Sequence, residues 1–211
     1  MPGLDSVAAR AWIAETAREI DANADALTKL DAAIGDGDHG VNMRRGMKAV
    51  TEALADAEEN TPPDQLMILV GRTLVSKVGG ASGPLWGQFF KSIGRALKDA
   101  GPIGGPELAA AITAGVEGVQ ELGQAHPGDK TMVDALSPAA AALSAAIAAD
   151  ETLPDALSRA YAAAEEGAKT TIGIQARKGR ASYLGERAIG HQDPGSASAV
   201  LVIGALAHAL R

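Results

Sequence analysis

The sequence contains no cysteine and very few aromatic residues, and both absences narrow what the protein can be. Without cysteine the chain of 211 residues forms no disulfide and offers no thiol for catalysis or metal binding. Aromatic residues make up 3% and hydrophobic residues 46%, so alanine supplies much of the apolar surface. Alanine has the highest helix propensity and allows helices to pack closely. The composition therefore favours a folded helical protein, with its 25 glycines expected mainly in loops.

Basic charge and long apolar runs are also scarce. The formal net charge is −7, and an acidic chain repels nucleic acid and anionic membranes unless basic residues cluster. The longest apolar tracts, near 139–149 and 199–210, are too short to span a bilayer. The first residues lack the charged and apolar regions of a signal peptide. We therefore expect a cytoplasmic protein with neither nucleic acid nor membrane as a partner.

Helical spacing of apolar residues dominates the chain, and it predicts about eight helices. Residues 170–196 form the longest irregular stretch, a length at which loops in compact domains are usually functional or disordered. Residues 171–175 alternate like a strand, but one strand cannot form a sheet. The pattern predicts an all-α closed bundle in a single domain over residues 1–211. The predicted helices, counting a short one at 24–30 directly after the first, cover about 4–23, 24–30, 42–59, 65–79, 82–97, 106–123, 132–149, 154–169 and 196–210.

Three carboxylates in one short segment give the strongest chemical signal. Asp31, Asp36 and Asp38 lie within eight residues, and such groups repel each other unless a cation lies among them. Magnesium prefers oxygen ligands and leaves positions open for substrate phosphates. The glycines beside the aspartates allow the sharp turns that would point all three inward. A solvated acidic turn or helix caps are the alternative interpretation.

Other ligand-binding motifs do not explain this segment. Residues 35–40 match G-x-G-x-x-G, but no strand precedes them and two aspartates would repel a pyrophosphate that lacks a metal. An EF-hand starting at Asp36 would need glycine at 41 and glutamate at 47, where the chain has Val41 and Met47. The sequence contains no G-x-x-x-x-G-K-[ST] motif, which excludes a P-loop protein.

Two further segments have features that could bind phosphate. Gly79–Pro84 opens a helix, where free N–H groups and the positive end of the helix dipole bind anions, and Ser82 could either cap that helix or contact a phosphate. The late segment carries Arg177, Lys178, Arg180 and Arg187 in an otherwise acidic protein. Arg180 could stabilise charge on a transferring phosphoryl group, although a solvated surface loop is the alternative. His39 could contact a nucleotide or pack beside the carboxylates.

Five blocks, in this order, resemble the L subunit of bacterial dihydroxyacetone kinases, the subunit that binds ADP. The resemblance covers nearly the whole chain, and the blocks are Asp31–Asn42, Gly79–Leu85, Pro127–Met132, Gln175–Arg187 and Gly190–Gly195. It implies a closed barrel of eight antiparallel helices with the nucleotide site at one end. It also implies that Asp31, Asp36 and Asp38 hold two magnesium ions that bridge the phosphates of ADP or ATP. The implied nucleotide contacts are His39, Gly40, Val41, Asn42, Ala81, Ser82, Gly123, Met132, Arg180, Asp193, Pro194 and Gly195.

The resemblance further implies a kinase that works with partner subunits, and Arg180 as its catalytic residue. A phosphoryl group would pass to dihydroxyacetone held by a separate K subunit. In the phosphotransferase-system version, a phosphohistidine protein, the M subunit, rephosphorylates the bound ADP; in another version ATP is the donor. A free-standing chain favours the first version. The alternatives are a non-catalytic nucleotide sensor that docks on a transcription regulator, and a kinase module for another acceptor such as erythrulose.

Overall fold

Eight α-helices account for most of the residues that the structure describes. The structure, a computed structural model, describes residues 3–211, and no strand occurs among them. None of the helices in that range is long and apolar enough to cross a membrane. Two short 3-10 segments, Thr171–Gly173 and Arg180–Ala188, lie between the last two helices. The helices are α1 Ser6–Ile34, α2 His39–Ala55, α3 Pro63–Lys77, α4 Ser82–Ala96, α5 Gly105–Gly123, α6 Val133–Ala148, α7 Leu153–Thr170 and α8 Pro194–Ala209.

Local sequence chemistry determines where several helices begin. The Asp5 carboxylate accepts a hydrogen bond from the Ala8 N–H at 2.8 Å and caps α1. Asp193 caps α8 in the same way. Proline stands in the first turn of α3, α5, α7 and α8, where its missing N–H costs no helical hydrogen bond.

The helices form a closed ring. Each helix packs against the next one in the chain, and α8 packs against α1. The connections are short, so neighbouring helices run antiparallel. Most of the aromatic residues meet in the centre of the ring: Phe90 lies 5.5 Å from Trp12 and 5.3 Å from Phe89, between ring centroids. The predicted all-α closed bundle is confirmed.

Glycines inside helices bring the helices unusually close together, so the expectation that glycine clusters in loops is wrong. A Cβ atom at Gly40 of α2 would lie 1.9 Å from the carbonyl oxygen of Ala24 in α1. A Cβ atom at Gly167 of α7 would lie 2.1 Å from the carbonyl oxygen of Asp134 in α6. Small residues at these crossings serve backbone packing rather than turns.

The sequence pattern predicted an early end of the first helices that the structure does not contain. The predicted break near residue 30 is wrong, because α1 is continuous and Asp31 belongs to its last turn. Ala24, Leu27, Asp31 and Ile34 are all buried at helical spacing, so the buried stripe of α1 passes through a carboxylate. The alternating stretch after α7 is a 3-10 turn rather than a strand.

Candidate nucleotide and metal site

Four connections meet at one end of the ring. Because neighbouring helices are antiparallel, the connections that follow α1, α3, α5 and α7 all lie at this end. They line a cavity of about 630 Å³. The same geometry places the N-termini of α2, α4, α6 and α8 here, and residues from each of them line the cavity. Each helix N-terminus carries roughly half a positive charge and free N–H groups, so this end of the barrel suits an anion.

The carboxylates of Asp31, Asp36 and Asp38 converge in this cavity. Each contributes an oxygen atom, and these atoms lie within 4.8 Å of one another. Asp31 Oδ2 accepts hydrogen bonds from the N–H groups of Asp38 at 2.8 Å and His39 at 3.1 Å, which folds the connection back onto the end of α1. A Cβ atom at Gly35 would lie 2.1 Å from Asp31 Oδ1, so a side chain there would displace the Asp31 carboxylate.

This donor set fits magnesium. All of its ligand atoms are carboxylate oxygens, which hard divalent cations prefer over nitrogen or sulfur. Asp36 and Asp38 are exposed while Asp31 is buried, so the cluster is anchored on one side and open on the other. An open side leaves room for phosphate oxygens and water, which magnesium sites usually retain. It is the sole acidic or histidine-containing group of this kind between residues 3 and 211.

His39 connects the carboxylate segment to two other helices. Its Nδ1 lies 3.0 Å from Ser82 Oγ on α4, and its Nε2 lies 3.0 Å from Ser198 Oγ on α8. Burial lowers the pKa of His39, so the ring is neutral at neutral pH. The Ser198 hydroxyl donates to the carbonyl oxygen of Gly195 at 2.9 Å, so it accepts from Nε2–H. Nδ1 then accepts the Ser82 hydrogen, and the lone pairs of Ser82 remain available to the cavity.

The basic residues of the late segment separate into two groups. Arg180 Nη2 lies 2.9 Å from Asp36 Oδ2, so its guanidinium stands at the edge of the carboxylate cluster. Lys178 also lines the cavity, whereas Arg177 and Arg187 do not. A cation bound by Asp36 and an anion bound by that cation would both lie within reach of Arg180.

Asp193 lies at the N-terminus of α8 beside the cavity. Its Oδ2 accepts the Ser196 N–H at 2.6 Å. Burial raises its pKa to about 7, against the opposing effect of that backbone hydrogen bond. Gly195, two residues further on, leaves little space for a side chain, because a Cβ atom there would lie 3.0 Å from Asp193 Oδ2 and 3.4 Å from the Met132 nitrogen.

Most of the residues expected to contact the nucleotide line this one cavity, and three do not. Gly40 packs against α1, the Val41 side chain is 53% exposed, and the Asn42 side chain accepts a hydrogen bond from Arg45 at 2.8 Å. These three residues lie in the first turn of α2 and do not line the cavity. The predicted residues that line the cavity are Asp31, Asp36, Asp38, His39, Ala81, Ser82, Gly123, Met132, Arg180, Asp193, Pro194 and Gly195.

Sequence reasoning missed two parts of the site. The first is an apolar wall that includes Leu85, Trp86 and Leu122. The second is Lys130, a buried lysine in the wall that donates hydrogen bonds to carbonyl oxygens of the α7–α8 segment. The run Pro127–Met132 was recognised as a motif, but the hydrogen-bond acceptors of Lys130 lie 41–61 residues further along the chain. No local pattern reports such a contact.

The fold and site define a helical barrel with one end built for phosphate and a divalent cation. The family model described as the DAK2 domain matches residues 33–208, and the chain belongs to this family.

Relatives of known function match nearly the full chain. It is 42% identical over 203 residues to the PEP-dependent dihydroxyacetone kinase ADP-binding subunit DhaL of Escherichia coli strain K12, covering 95% of both chains. It is 40% identical over 195 residues to the ADP-binding subunit of kinase 1 from Listeria innocua, covering 92% of both. Among solved structures, the dihydroxyacetone kinase of C. freundii in complex with AMP-PNP and Mg²⁺ matches 99% of this chain and 34% of that one. The TM-score is 0.73 and the identity 27%.

Proposed function

We infer that this chain is the ADP-binding subunit of a PEP-dependent dihydroxyacetone kinase, an enzyme that transfers a phosphoryl group to an alcohol. Near-full-length similarity to subunits of that name supports this function. The observation that carries it is structural: three convergent carboxylates and four helix N-termini share one cavity. Carboxylates alone would repel a nucleotide tail, and helix N-termini alone would repel a metal, so together they suit a metal–phosphate complex.

Each part of the cavity has a proposed role. Asp31, Asp36 and Asp38 hold two magnesium ions, which neutralise phosphate charge when bound. The N–H groups that open α4 and α8 bind phosphate oxygens, with Ser82 contributing its hydroxyl oxygen to the metal–phosphate complex. Arg180 stabilises the charge that develops on the transferred phosphoryl group.

The apolar wall provides a place for the nucleoside. Leu85 and Leu122 flank Gly123, where a Cβ atom would lie 3.2 Å from a methyl group of Leu85. Met132 is part of the same cavity wall, at the start of α6. A flat base suits such an apolar slot, and a cavity of about 630 Å³ is within the usual size range of small-molecule sites.

The ketose belongs to a partner subunit in this proposal. The polar groups of the cavity are directed at anions and cations, and a small neutral ketose offers little binding energy of its own. We propose that a K subunit holds the ketose against the Arg180 side of the cavity. We propose further that a phosphohistidine protein, the M subunit, rephosphorylates the ADP in place.

The acceptor depends on that partner. The L-erythrulose 1-kinase of Mycolicibacterium smegmatis is 39% identical over 92% of this chain, which spans 34% of the length of that enzyme. Erythrulose is therefore the second candidate acceptor. Activity with each ketose on a matched K subunit distinguishes the two.

Titration of ADP into the chain with and without magnesium tests the site. Asp36→Asn and Asp38→Asn should each abolish the magnesium-dependent part of ADP binding and leave the helical content near wild type. Asp56→Asn is the matched control, because Asp56 is exposed at the C-terminus of α2, at the opposite end of the barrel. Undiminished binding by both cavity variants would contradict the metal assignment.

A further inference from the structure

Lys130 is a charged side chain buried inside the wall of the cavity. The residue is 1% exposed, a rare environment for lysine. Its ammonium group donates to the carbonyl oxygens of Thr171, of Ile174 at 3.2 Å and of His191 at 2.5 Å. An ammonium group has three hydrogens, and three carbonyl acceptors occupy them all. Lys130 therefore has no donor left for a phosphate.

The three acceptors lie at the two ends of one segment. Thr171 and Ile174 begin the connection between α7 and α8, and His191 ends it. The backbone closes the same neck, because the Gly190 N–H donates to the Ile172 carbonyl oxygen at 2.7 Å. A single ammonium group thus fastens both ends of the loop that carries Arg180.

The turn that presents Lys130 is itself held firmly. Lys130 adopts a left-handed backbone conformation with φ of 63°. The carboxylate of Asp134, in the first turn of α6, accepts the N–H groups of Gly128 at 2.5 Å and Thr131 at 2.7 Å. Non-glycine residues in this conformation are uncommon and persist where surrounding contacts enforce them. The backbone that carries Lys130 is therefore fixed to the start of α6.

The fastened loop also packs against the carboxylate segment. Its Ala181 and Ala188 form a small apolar cluster with Ile34, the last residue of α1, and Leu184 packs against that cluster. Arg180, next to Ala181, contacts Asp36 across this junction. The position of the guanidinium therefore depends on where the neck holds the loop.

We propose that Lys130 is a positioning residue that fastens the neck of the Arg180 loop to α6 and so sets where Arg180 stands over the carboxylate cluster. This inference rests on the proposed kinase function. A displacement of about 1 Å in a positioned group can cost roughly 100-fold in rate. Loss of the fastening should therefore lower turnover far more than it weakens nucleotide binding, which rests mainly on the three carboxylates and the helix N-termini.

The test compares Lys130→Met with Lys48→Met, which removes an exposed lysine on α2. Amide hydrogen exchange over residues 171–191 should be faster in Lys130→Met alone. In a ketose kinase assay with its partner subunits, kcat of Lys130→Met should fall by about 100-fold, while the Kd for ADP with magnesium changes by less than about threefold. If the methionine variant does not fold, Lys130→Gln, which keeps two N–H donors, should show the same split with a smaller loss.

Double substitution with Arg180→Ala decides whether Lys130 acts through Arg180. Lys130→Met should cost little extra turnover once Arg180 is absent, because both changes remove the same interaction. Fully multiplied losses, unchanged hydrogen exchange in the segment, or an ADP affinity that falls as far as kcat would each overturn the proposal. An inactive wild-type enzyme would instead contradict the proposed function and leave hydrogen exchange as the test of the fastening.

Discussion

Replacing Arg180 with alanine should separate catalysis from binding. The guanidinium stands at the edge of the carboxylate cluster, 2.9 Å from Asp36 Oδ2. Removing one preorganised donor to a developing charge costs about 3–4 kcal/mol in enzymes, which corresponds to a fall of roughly 100- to 1000-fold in kcat. The loss arises in the transition state, where negative charge is redistributed over the phosphoryl oxygens and the leaving group.

Stability and ADP affinity should change much less in this variant. The Arg180 side chain is 69% exposed and that of Asp36 37%, and exposed ion pairs contribute at most about 1 kcal/mol to stability. Without the guanidinium, Asp36 also loses a group that competes with a metal ion for its oxygen. The affinity for ADP with magnesium should therefore stay within a few-fold of wild type.

Single-turnover transfer rates and calorimetric titration of ADP measure the two effects. Arg180→Lys should recover part of the rate, since lysine keeps the charge and loses the planar donor geometry. Arg187→Ala is the matched control, because Arg187 is an exposed arginine of the same loop that does not line the cavity. Equal losses in rate and affinity for Arg180→Ala would refute the catalytic role and leave Arg180 as a binding residue.

Three further changes test the fold and the environment of the site. Gly40→Ala should lower the free energy of unfolding by several kcal/mol in denaturant titrations, because its Cβ atom meets an α1 carbonyl oxygen at 1.9 Å, whereas Gly101→Ala, in open space, should not. With a pKa of about 7, folded Asp193 keeps a proton that the unfolded chain releases near pH 4, so the free energy of unfolding should fall as the pH rises from about 4 to about 7. Asp193→Asn should remove that decline when unfolding is measured as a function of pH. Ser198→Ala leaves His39 Nε2 unpaired and should weaken ADP binding roughly tenfold by calorimetry.

A different result in any of these three experiments would contradict a specific part of the description. An unchanged stability of Gly40→Ala would mean that α1 and α2 do not cross as closely as described. A pH profile of Asp193→Asn that matches wild type would place the ionisation elsewhere. Undiminished ADP affinity in Ser198→Ala would mean that the orientation of His39 does not matter for the nucleotide.

Periodicity predicted the helices well because each helix buries one face in a closed ring. It failed at α1, because the buried face of this helix includes Asp31, and a carboxylate in the apolar pattern suggested that the helix ends there. It also failed for glycines such as Gly40, because close packing between helices depends on the partner helix and leaves no mark in the local sequence.

The site was predictable where its residues are close in the chain. Asp36 and Asp38 share one connection, so their close spacing in the sequence suggested a metal. The pairing of His39 with Ser198 joins residues 159 apart, and only the folded ring brings them together. Lys130 went unrecognised for the same reason, since all its acceptors belong to a later segment.

Reconstitution of the phosphoryl transfer tests the central claim most directly. Purified chain, magnesium, ATP and dihydroxyacetone should give only background turnover, because we propose that the cavity holds a metal–phosphate complex and that a partner subunit holds the ketose. Adding a matching K subunit together with the phosphohistidine donor protein, kept phosphorylated from PEP by its phosphotransferase proteins, should restore turnover, and Asp36→Asn should abolish it. Robust phosphorylation of dihydroxyacetone by the chain alone, or no turnover in the complete mixture, would contradict its assignment as the ADP-binding subunit.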